Sequence, residues 1–152
     1  MIAFENALDV ARPPEVVFAA LADLTRVPDW NYYVRSVTQV TPGPVGIGTV
    51  FHQVRKDDEQ DFEITALESP RRLTVATLAG SRPTFRRDLE VAAVGAGSRI
   101  TDRWQLDTGQ PEVIQRLGRT LVQRAVAQNL GFLRELLESG STRLPDGRTV
   151  RW

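Results

Sequence analysis

Residues 111–138 read P-E-V-I-Q-R-L-G-R-T-L-V-Q-R-A-V-A-Q-N-L-G-F-L-R-E-L-L-E. After Pro111 this stretch contains no proline, and its apolar residues recur at the three- and four-residue spacing of an amphipathic helix. The predicted helix would be roughly 42 Å long, and Gly140 predicts its end. Its apolar residues form two adjacent ribbons, Ile114, Leu117, Leu121, Ala125, Phe132 and Leu136 in one and Val122, Val126, Leu130, Leu133 and Leu137 in the other. We expect a face this broad to be wrapped by a sheet.

The chain before this helix has the pattern of strands separated by short turns. Residues 2–10 alternate between apolar and polar, which predicts a half-buried strand. A helical segment follows, with Pro14 suited to its first turn and Pro28 ending or restarting it. Six further strands are predicted at 34–41, 49–55, 62–68, 73–78, 85–94 and 99–107. The short connections favour antiparallel pairing.

Together these elements predict an α+β helix-grip fold. A curved seven-stranded antiparallel sheet would wrap around the long C-terminal helix, with two short helices between strands 1 and 2. We assign residues 1–139 to this single domain and residues 140–152 to a C-terminal tail with a turn at 145–147. A curved sheet gripping a helix can leave an apolar cavity between them, which is a natural small-molecule site.

Composition narrows the function classes. The 152 residues carry nineteen basic and nineteen acidic side chains, so net charge gives no argument for nucleic acid binding. The absence of cysteine excludes disulfides and thiolate metal sites, and a single histidine removes the usual metal cluster, so we expect no metal and no cofactor. No signal segment or membrane-length apolar run is visible, which predicts a cytoplasmic protein without stable membrane insertion.

Several landmarks, in order along residues 2–138, resemble a known superfamily. They are A-R-P-P-E-V-V-F-A-A-L-A-D-L at 11–24, W-N at 30–31, G-I-G-T-V-F at 46–51, L-E-S-P-R-R-L at 67–73, G-A-G-S-R-I-T at 95–101 and N-L-G-F-L-R-E-L-L-E at 129–138. The chain resembles the START/Bet v 1-like (SRPBCC) superfamily, and within it the bacterial polyketide cyclase/dehydrase domains. The resemblance implies a helix-grip fold and a hydrophobic ligand, lipid-like or aromatic and polyketide-like. The superfamily shares no catalytic motif, so no catalytic residue is carried over.

The predicted cavity lies between the long helix and the concave face of the sheet. Large apolar side chains would form its walls, with a few polar side chains among them. We expect the ligand-binding residues to be Trp30, Tyr33, Phe51, Gln53, Phe62, Phe85, Arg87, Asp102, Trp104, Leu121, Asn129 and Phe132.

The last predicted hairpin places two charges on this cavity wall. Arg87 falls on the apolar row of strand 85–94, and Asp102 falls on the facing row with Trp104. Because the two rows have opposite parity around a three-residue Gly95–Gly97 connection, aligning them would require a bulge. Arg87 and Asp102 are either a structural ion pair or the polar end of the pocket. In the second case Arg87 would hold a carboxylate or enolate oxygen, and Asp102 could act as a base.

Other residues leave alternatives open. In P-D-W-N-Y-Y-V, residues 28–34, Trp30 either anchors the short helices or belongs to the site, and Tyr33 either fills a gap or lies at the portal. On strand 49–55 either the row of Phe51 or the row of His52 could face the cavity, and the resemblance at 46–51 favours Phe51 inward and His52 outward. Asn129 could meet a ligand or a strand carbonyl. The acidic run at 57–59, with Asp61, is interpreted as a solvated hairpin turn.

Three functions are compatible with these residues. The first is binding of a small hydrophobic molecule. The second is an aromatase/cyclase or dehydratase in the same cavity, with Arg87, Asp102 and Tyr33 as catalytic candidates. The third is a regulatory or stress-related interaction module with a closed cavity, in which Tyr32, Tyr33 and Trp152 would contact a protein partner.

Overall fold

A computed structural model describes all 152 residues and has one seven-stranded antiparallel sheet. Its strands are β1 (Ile2–Val10), β2 (Val34–Gln39), β3 (Val50–Arg55), β4 (Glu59–Glu68), β5 (Arg72–Thr77), β6 (Thr84–Val94) and β7 (Gly97–Asp107). They lie in the order β1-β7-β6-β5-β4-β3-β2, so consecutive strands are neighbours except that β1 returns to pair with β7. Register shifts between Val34 and Ser36 and between Ile64 and Ala66 interrupt the pairing, and such irregularities bend a sheet. The helix-grip prediction is confirmed.

Three helical segments complete the domain. They are α1 (Pro14–Ala22), a 3₁₀ helix (Leu24–Asp29) and α2 (Glu112–Ser139). Pro14 is the first residue of α1, where its missing N–H has no intrahelical partner to lose. Gly140 ends α2 in the left-handed conformation, with φ of 81°, and its N–H donates to the carbonyl of Leu136.

The core packs the C-terminal half of α2 against the sheet. Leu130, Leu133 and Leu136 are all buried there, and α1 contributes Val17 and Phe18 to the same cluster. Burial of this apolar surface is the main source of stability in a domain of this size. No helix in the structure is both long and apolar enough to cross a bilayer.

The N-terminal half of α2 differs from the prediction, because its apolar residues are not wrapped by the sheet. Val113, Ile114, Leu117 and Leu121 are 67%, 49%, 81% and 74% exposed. The sheet grips only one side of the helix. Val113, Ile114 and Leu117 project from the other side, and Leu121 lies at the border between the two.

Polar contacts hold this half of α2 in place. The Gln115 side chain donates to Asp107 Oδ1 at 3.0 Å and to the Gln110 carbonyl at 2.7 Å. Farther along the helix, Asn6 Nδ2 donates to the Gln123 carbonyl, and Gln123 Nε2 donates to the Glu5 carbonyl. These bonds join the helix to the end of β7 and to the edge strand β1.

Two connections differ from the prediction. The β6–β7 turn contains two residues, Gly95 and Ala96, and Val94 pairs directly with Gly97, so no bulge is needed. Gly95 has φ of 58°, the positive value that the first central position of a type II′ turn requires. The acidic run is also not simply a turn, because Glu59 and Asp61 already belong to β4.

The last twelve residues form a small hairpin rather than an irregular tail. Its strands are β8 (Ser141–Arg143) and β9 (Thr149–Arg151), joined across the predicted turn at 145–147. Trp152 folds back onto the body, where its indole Nε1 donates to Asp29 Oδ2 at 2.8 Å.

Candidate functional site

A cavity of about 280 Å³ lies between α2 and the sheet. The 3₁₀ helix and the residues after it close one side, strands β3 to β7 supply the floor, and residues 121–129 of α2 form the roof. The structure places nine of the twelve predicted site residues in its lining: Trp30, Tyr33, Gln53, Phe62, Phe85, Arg87, Trp104, Leu121 and Asn129.

The lining also contains residues that the sequence analysis did not assign to the site. They are Leu21, Leu24, Val27, Asn31, Val34, Arg55, Val75, Leu89, Leu106, Val122, Ala125 and Val126. Strand parity contained a signal for Leu89 and Leu106, which lie on the same rows as Arg87 and Trp104. No local pattern distinguishes Leu21 and Leu24 from ordinary core residues, because their place in the lining depends on how α1 and the 3₁₀ helix pack.

Three predicted residues do not line the cavity. Phe51 points inward as predicted, but it is buried in the core, stacked on Phe62 with ring centroids 5.6 Å apart. Phe132 packs against the core cluster farther along α2. Asp102 is fully buried behind Arg87.

Arg87 and Asp102 form a two-pronged ion pair inside the hairpin. Nε of Arg87 donates to Asp102 Oδ1 at 2.9 Å, and Nη2 donates to Oδ2 at 2.7 Å. Trp104 Nε1 also donates to Oδ2, at 3.1 Å. Both carboxylate oxygens of Asp102 are therefore engaged, whereas Nη1 of Arg87 has no protein partner. This is the most strongly preorganised polar group in the cavity wall.

Two tryptophans hold the guanidinium of Arg87. Its Cζ lies 4.8 Å from the Trp104 ring centroid and 5.6 Å from that of Trp30, within the range of cation–π attraction. Arg87 faces Trp104 directly across the β6–β7 pairing. The indole rings and Asp102 together fix the orientation of the guanidinium, so Nη1 presents its donors in a defined direction.

The other predicted polar residues occupy different depths. Trp30 belongs to the lining but is almost fully buried, and its indole N–H has no hydrogen-bond partner. The side-chain oxygen of Asn129 is likewise buried without one. Tyr33 is 39% exposed and lies at the mouth, with its ring against Tyr32 and the Lys56 ammonium 5.0 Å from its centroid. The cavity therefore has a polar point near Arg87 and an amphipathic rim.

His52 lies on the outer face of β3, away from the cavity. Its Nδ1 is 2.6 Å from Asp61 Oδ1 and its Nε2 is 3.2 Å from Glu59 Oε2. The hydrogen bond with Asp61, followed by that with Glu59, raises the pKa of His52 above its ordinary value. No cluster of three or more His, Cys, Asp or Glu side chains is arranged to hold a metal ion.

Comparisons with known proteins agree with this architecture. A curated relative, an uncharacterised protein of Mycobacterium tuberculosis (Rv2574), is 31% identical over 102 residues, and the match covers 64% of this chain and 61% of the relative. Protein TTHA0849 from Thermus thermophilus superposes with a TM-score of 0.69 at 19% identity, covering 89% of this chain and 96% of that one. Ara h 8.0201 superposes with a TM-score of 0.60 at 19% identity, covering 86% and 96%.

The structural likenesses show the Bet v 1-like fold and no more, because sequence identity to both proteins is low. The family assignment comes from a different comparison, the match of residues 1–138 to the model described as "Polyketide cyclase / dehydrase and lipid transport". That match covers the whole helix-grip domain from β1 to the last turn of α2. This chain belongs to the polyketide cyclase/dehydrase and lipid transport family.

Proposed function

We propose that this protein binds a small, mainly hydrophobic molecule in the cavity, with a carbonyl or hydroxyl oxygen of the ligand accepting from Nη1 of Arg87. Family and fold support binding of hydrophobic ligands in general. The observation that carries the specific proposal is the fixed guanidinium with its free Nη1 in a lining otherwise dominated by apolar side chains.

Charge balance favours a neutral oxygen over a carboxylate. Asp102 already neutralises Arg87, and neither side chain is open to bulk water, with exposed fractions of 0% and 11%. A ligand carboxylate would leave one uncompensated negative charge in a desolvated site, which is unfavourable. A ketone or alcohol gains the hydrogen bond without that cost.

Cavity size limits the ligand. A volume of about 280 Å³ lies near the lower end of the ~300–1,000 Å³ found for small-molecule sites. A fused aromatic compound or a short acyl chain fits this volume. A longer chain would extend through the mouth beside Tyr33 and Leu121.

Three ligands that share a naphthalene ring system and differ only in their polar group test the contact with Arg87. They are acetylnaphthalene, the corresponding secondary alcohol and naphthoic acid. We expect calorimetric titration to show the ketone and alcohol binding about tenfold or more tightly than the acid. Arg87→Met/Asp102→Leu, which leaves no unpaired charge in the hairpin, should weaken ketone binding, while Arg86→Met, on the opposite face of the same strand, should not. Equal binding to the double variant and wild type would contradict the role of Nη1.

Native mass spectrometry of the protein from its own cells tests occupancy directly. A mass excess that disappears on denaturation would identify the bound compound. If the protein is bare and binds none of the three naphthalene ligands, the cavity is not a binding site.

Aromatic cyclisation or dehydration is a second candidate, supported by one observation. Donors fixed on an apolar wall can stabilise a developing enolate oxygen, and Nη1 of Arg87 has that placement. The position of Asp102 does not support a role as base, since it lies outside the lining and both of its oxygens accept hydrogen bonds from Arg87 or Trp104. Tyr33 at the mouth is then the remaining proton-transfer candidate. Incubation with a linear poly-β-ketone analogue should form an aromatic product absorbing in the ultraviolet. Its formation should be lost in Arg87→Met/Asp102→Leu, which leaves no unpaired buried charge, and slowed in Tyr33→Phe.

The interaction-module alternative has less support. The open cavity does not favour a module whose interior is packed shut. Trp152 is half-buried and hydrogen-bonded to Asp29, so it is not free to contact a partner.

A further inference from the structure

We propose that the N-terminal half of α2 docks on the surface of an anionic lipid bilayer. The docking surface is the exposed ridge formed by Val113, Ile114, Leu117 and Leu121. Arg116 and Arg124 flank it, because each is three residues along the helix from a ridge side chain. This proposal concerns the outside of the helix and does not depend on what occupies the cavity.

The exposed ridge contributes little to holding the helix in the fold. Gln115 and Gln123 bind this half of α2 to β7 and β1 through hydrogen bonds, and the N-terminal amine of Met1 lies 2.6 Å from Glu112. Apolar side chains that are 49–81% exposed and adjacent along a helix form the kind of contiguous patch that marks an interaction surface.

Charge on this half of the helix indicates the partner. Residues 113–134 contain four arginines and no acidic residue, although the whole chain has no net charge. Arg116, Arg119 and Arg124 are exposed, and none forms an ion pair. Two acidic side chains lie near the start of the helix: Glu112 is paired with the Met1 amine, and Asp107, at the end of β7, accepts from Gln115. Leucines and valine bordered by unpaired arginines are typical of a helix that lies in the headgroup region of an anionic membrane.

A second copy of the chain fits this surface less well. Two copies meeting through the ridge would bring their unpaired arginines together. Four side chains on one helix are also a small part of the ~800 Å² per partner that a stable interface buries. A polyanion such as nucleic acid would use the arginines but not the exposed leucines. A bilayer with anionic headgroups uses both.

The ridge continues into the cavity mouth. Leu121 is 74% exposed and also belongs to the cavity lining. A docked ridge would therefore bring the mouth to the membrane surface, where an apolar molecule could pass between bilayer and cavity without crossing bulk water.

Vesicle co-sedimentation tests the docking. The full chain is mixed with vesicles of phosphatidylcholine alone or of phosphatidylcholine and phosphatidylserine. We expect binding only to the second kind, reduced about tenfold or more by Val113→Gln/Leu117→Gln and about fivefold for each arginine removed in Arg116→Gln/Arg124→Gln. Neither pair lines the cavity, so ligand binding should be unchanged.

Matched controls separate docking from general effects. Ile47→Gln removes an apolar side chain that is 70% exposed in the β2–β3 connection, and Arg35→Gln/Arg71→Gln removes the same charge from other elements. Both should bind like wild type. The proposal would be overturned if wild type did not bind the vesicles or if the control variants lost as much binding as the test variants. It would also be overturned if only the arginine variant lost binding. So would a dimer in sedimentation velocity that Leu117→Gln abolishes.

A fluorescent label on the ridge reports whether the ridge inserts into the bilayer. The chain has no cysteine, so Leu117→Cys creates a single attachment point for an environment-sensitive dye. We expect a blue shift of its emission on phosphatidylserine vesicles and none for a dye on Ile47→Cys. A label at position 117 that stays in water while the protein is bound would contradict insertion of the ridge.

Discussion

Arg87 and Asp102 lie on the inner face of the β6–β7 hairpin, where neither charge is freely hydrated. A buried pair of this kind contributes little net stability, because the cost of desolvation offsets the attraction. Its value here is geometric, since Asp102 and two indole rings fix the orientation of the Arg87 guanidinium in the cavity lining. Strand parity predicted that the two residues share a face. Which of the two reaches the cavity depends on side-chain length and packing depth. The odd or even position of a residue on a strand gives its face but neither of these.

Removing one partner of this pair should be far more damaging than removing both. Asp102→Leu leaves the Arg87 guanidinium buried and unpaired, and we expect a loss of about 3–5 kcal/mol. Arg87→Met/Asp102→Leu should recover most of it. Urea unfolding followed by circular dichroism measures both. A double variant as unstable as the single one would mean that the pair itself stabilises the fold.

His52, on the outer face of β3, should make the free energy of unfolding depend on pH. Its pKa is raised above 6.5 in the folded state, first by the bond with Asp61 and then by Glu59. A raised folded-state pKa stabilises the protein below the unfolded pKa, and the contribution is lost as pH rises through the folded pKa. The advantage of wild type over His52→Asn should therefore be present below pH 6.5 and decline as pH rises through the raised folded-state pKa.

Proton NMR checks the same prediction directly, because His52 is the only histidine. Its ring resonances should titrate with a midpoint above 6.5. Asp61→Asn should lower that midpoint. A wild-type midpoint at or below 6.5 would contradict the prediction.

At the scale of elements, α2 has two functionally different halves. Its C-terminal half is buried in the core, while its N-terminal half roofs the cavity and exposes the ridge. The helical period predicted one continuous helix, which is correct. Period alone cannot tell which apolar residues are covered, because that depends on how far the curved sheet extends along the helix.

Glycines in two elements should respond in opposite ways to alanine. A methyl group at Gly118, inside α2, meets no atom within 4 Å, so Gly118→Ala should stabilise the protein by about 1 kcal/mol. At Gly97, the first residue of β7, a Cβ would lie 2.5 Å from the Val10 carbonyl oxygen, and that backbone is held in the β1–β7 pairing.

We therefore expect Gly97→Ala to lower the free energy of unfolding and Gly118→Ala to raise it, in the same denaturation assay. A stabilising Gly97→Ala would show that β1 can shift away from β7 at this end of the pairing.

For the whole molecule, the C-terminal hairpin ties the helices to one another. Thr142 Oγ1 donates to Glu135 on α2, and Arg148 Nη2 donates to the Pro28 carbonyl in the 3₁₀ helix. The Trp152 indole bonds Asp29 while the Arg26 guanidinium lies 4.5 Å from the ring centroid. The hairpin thus supports the 3₁₀ helix, from which the chain passes directly to Trp30 in the cavity wall.

Leu144 should be the main anchor of this hairpin, since it is only 2% exposed. We expect Leu144→Ala to cost about 3 kcal/mol, and Val45→Ala, in an exposed connection, to cost almost nothing. Thermal unfolding of the two variants provides the comparison. A Leu144→Ala protein as stable as wild type would mean that the hairpin is a dispensable appendage.

The helices, the seven strands of the sheet and the antiparallel pairing of consecutive strands could be predicted from the chain, because each depends on local properties: side-chain period, proline and glycine positions, and connection length. Nine of the twelve residues expected at the site line the cavity for the same reason. The pairing of β1 with β7 and the small β8–β9 hairpin were not predicted. The burial of Asp102, the exposed ridge on α2 and the docking of Trp152 were decided only in three dimensions. Each depends on the curvature of the sheet and on contacts between residues far apart in the chain, and no local pattern encodes those distances.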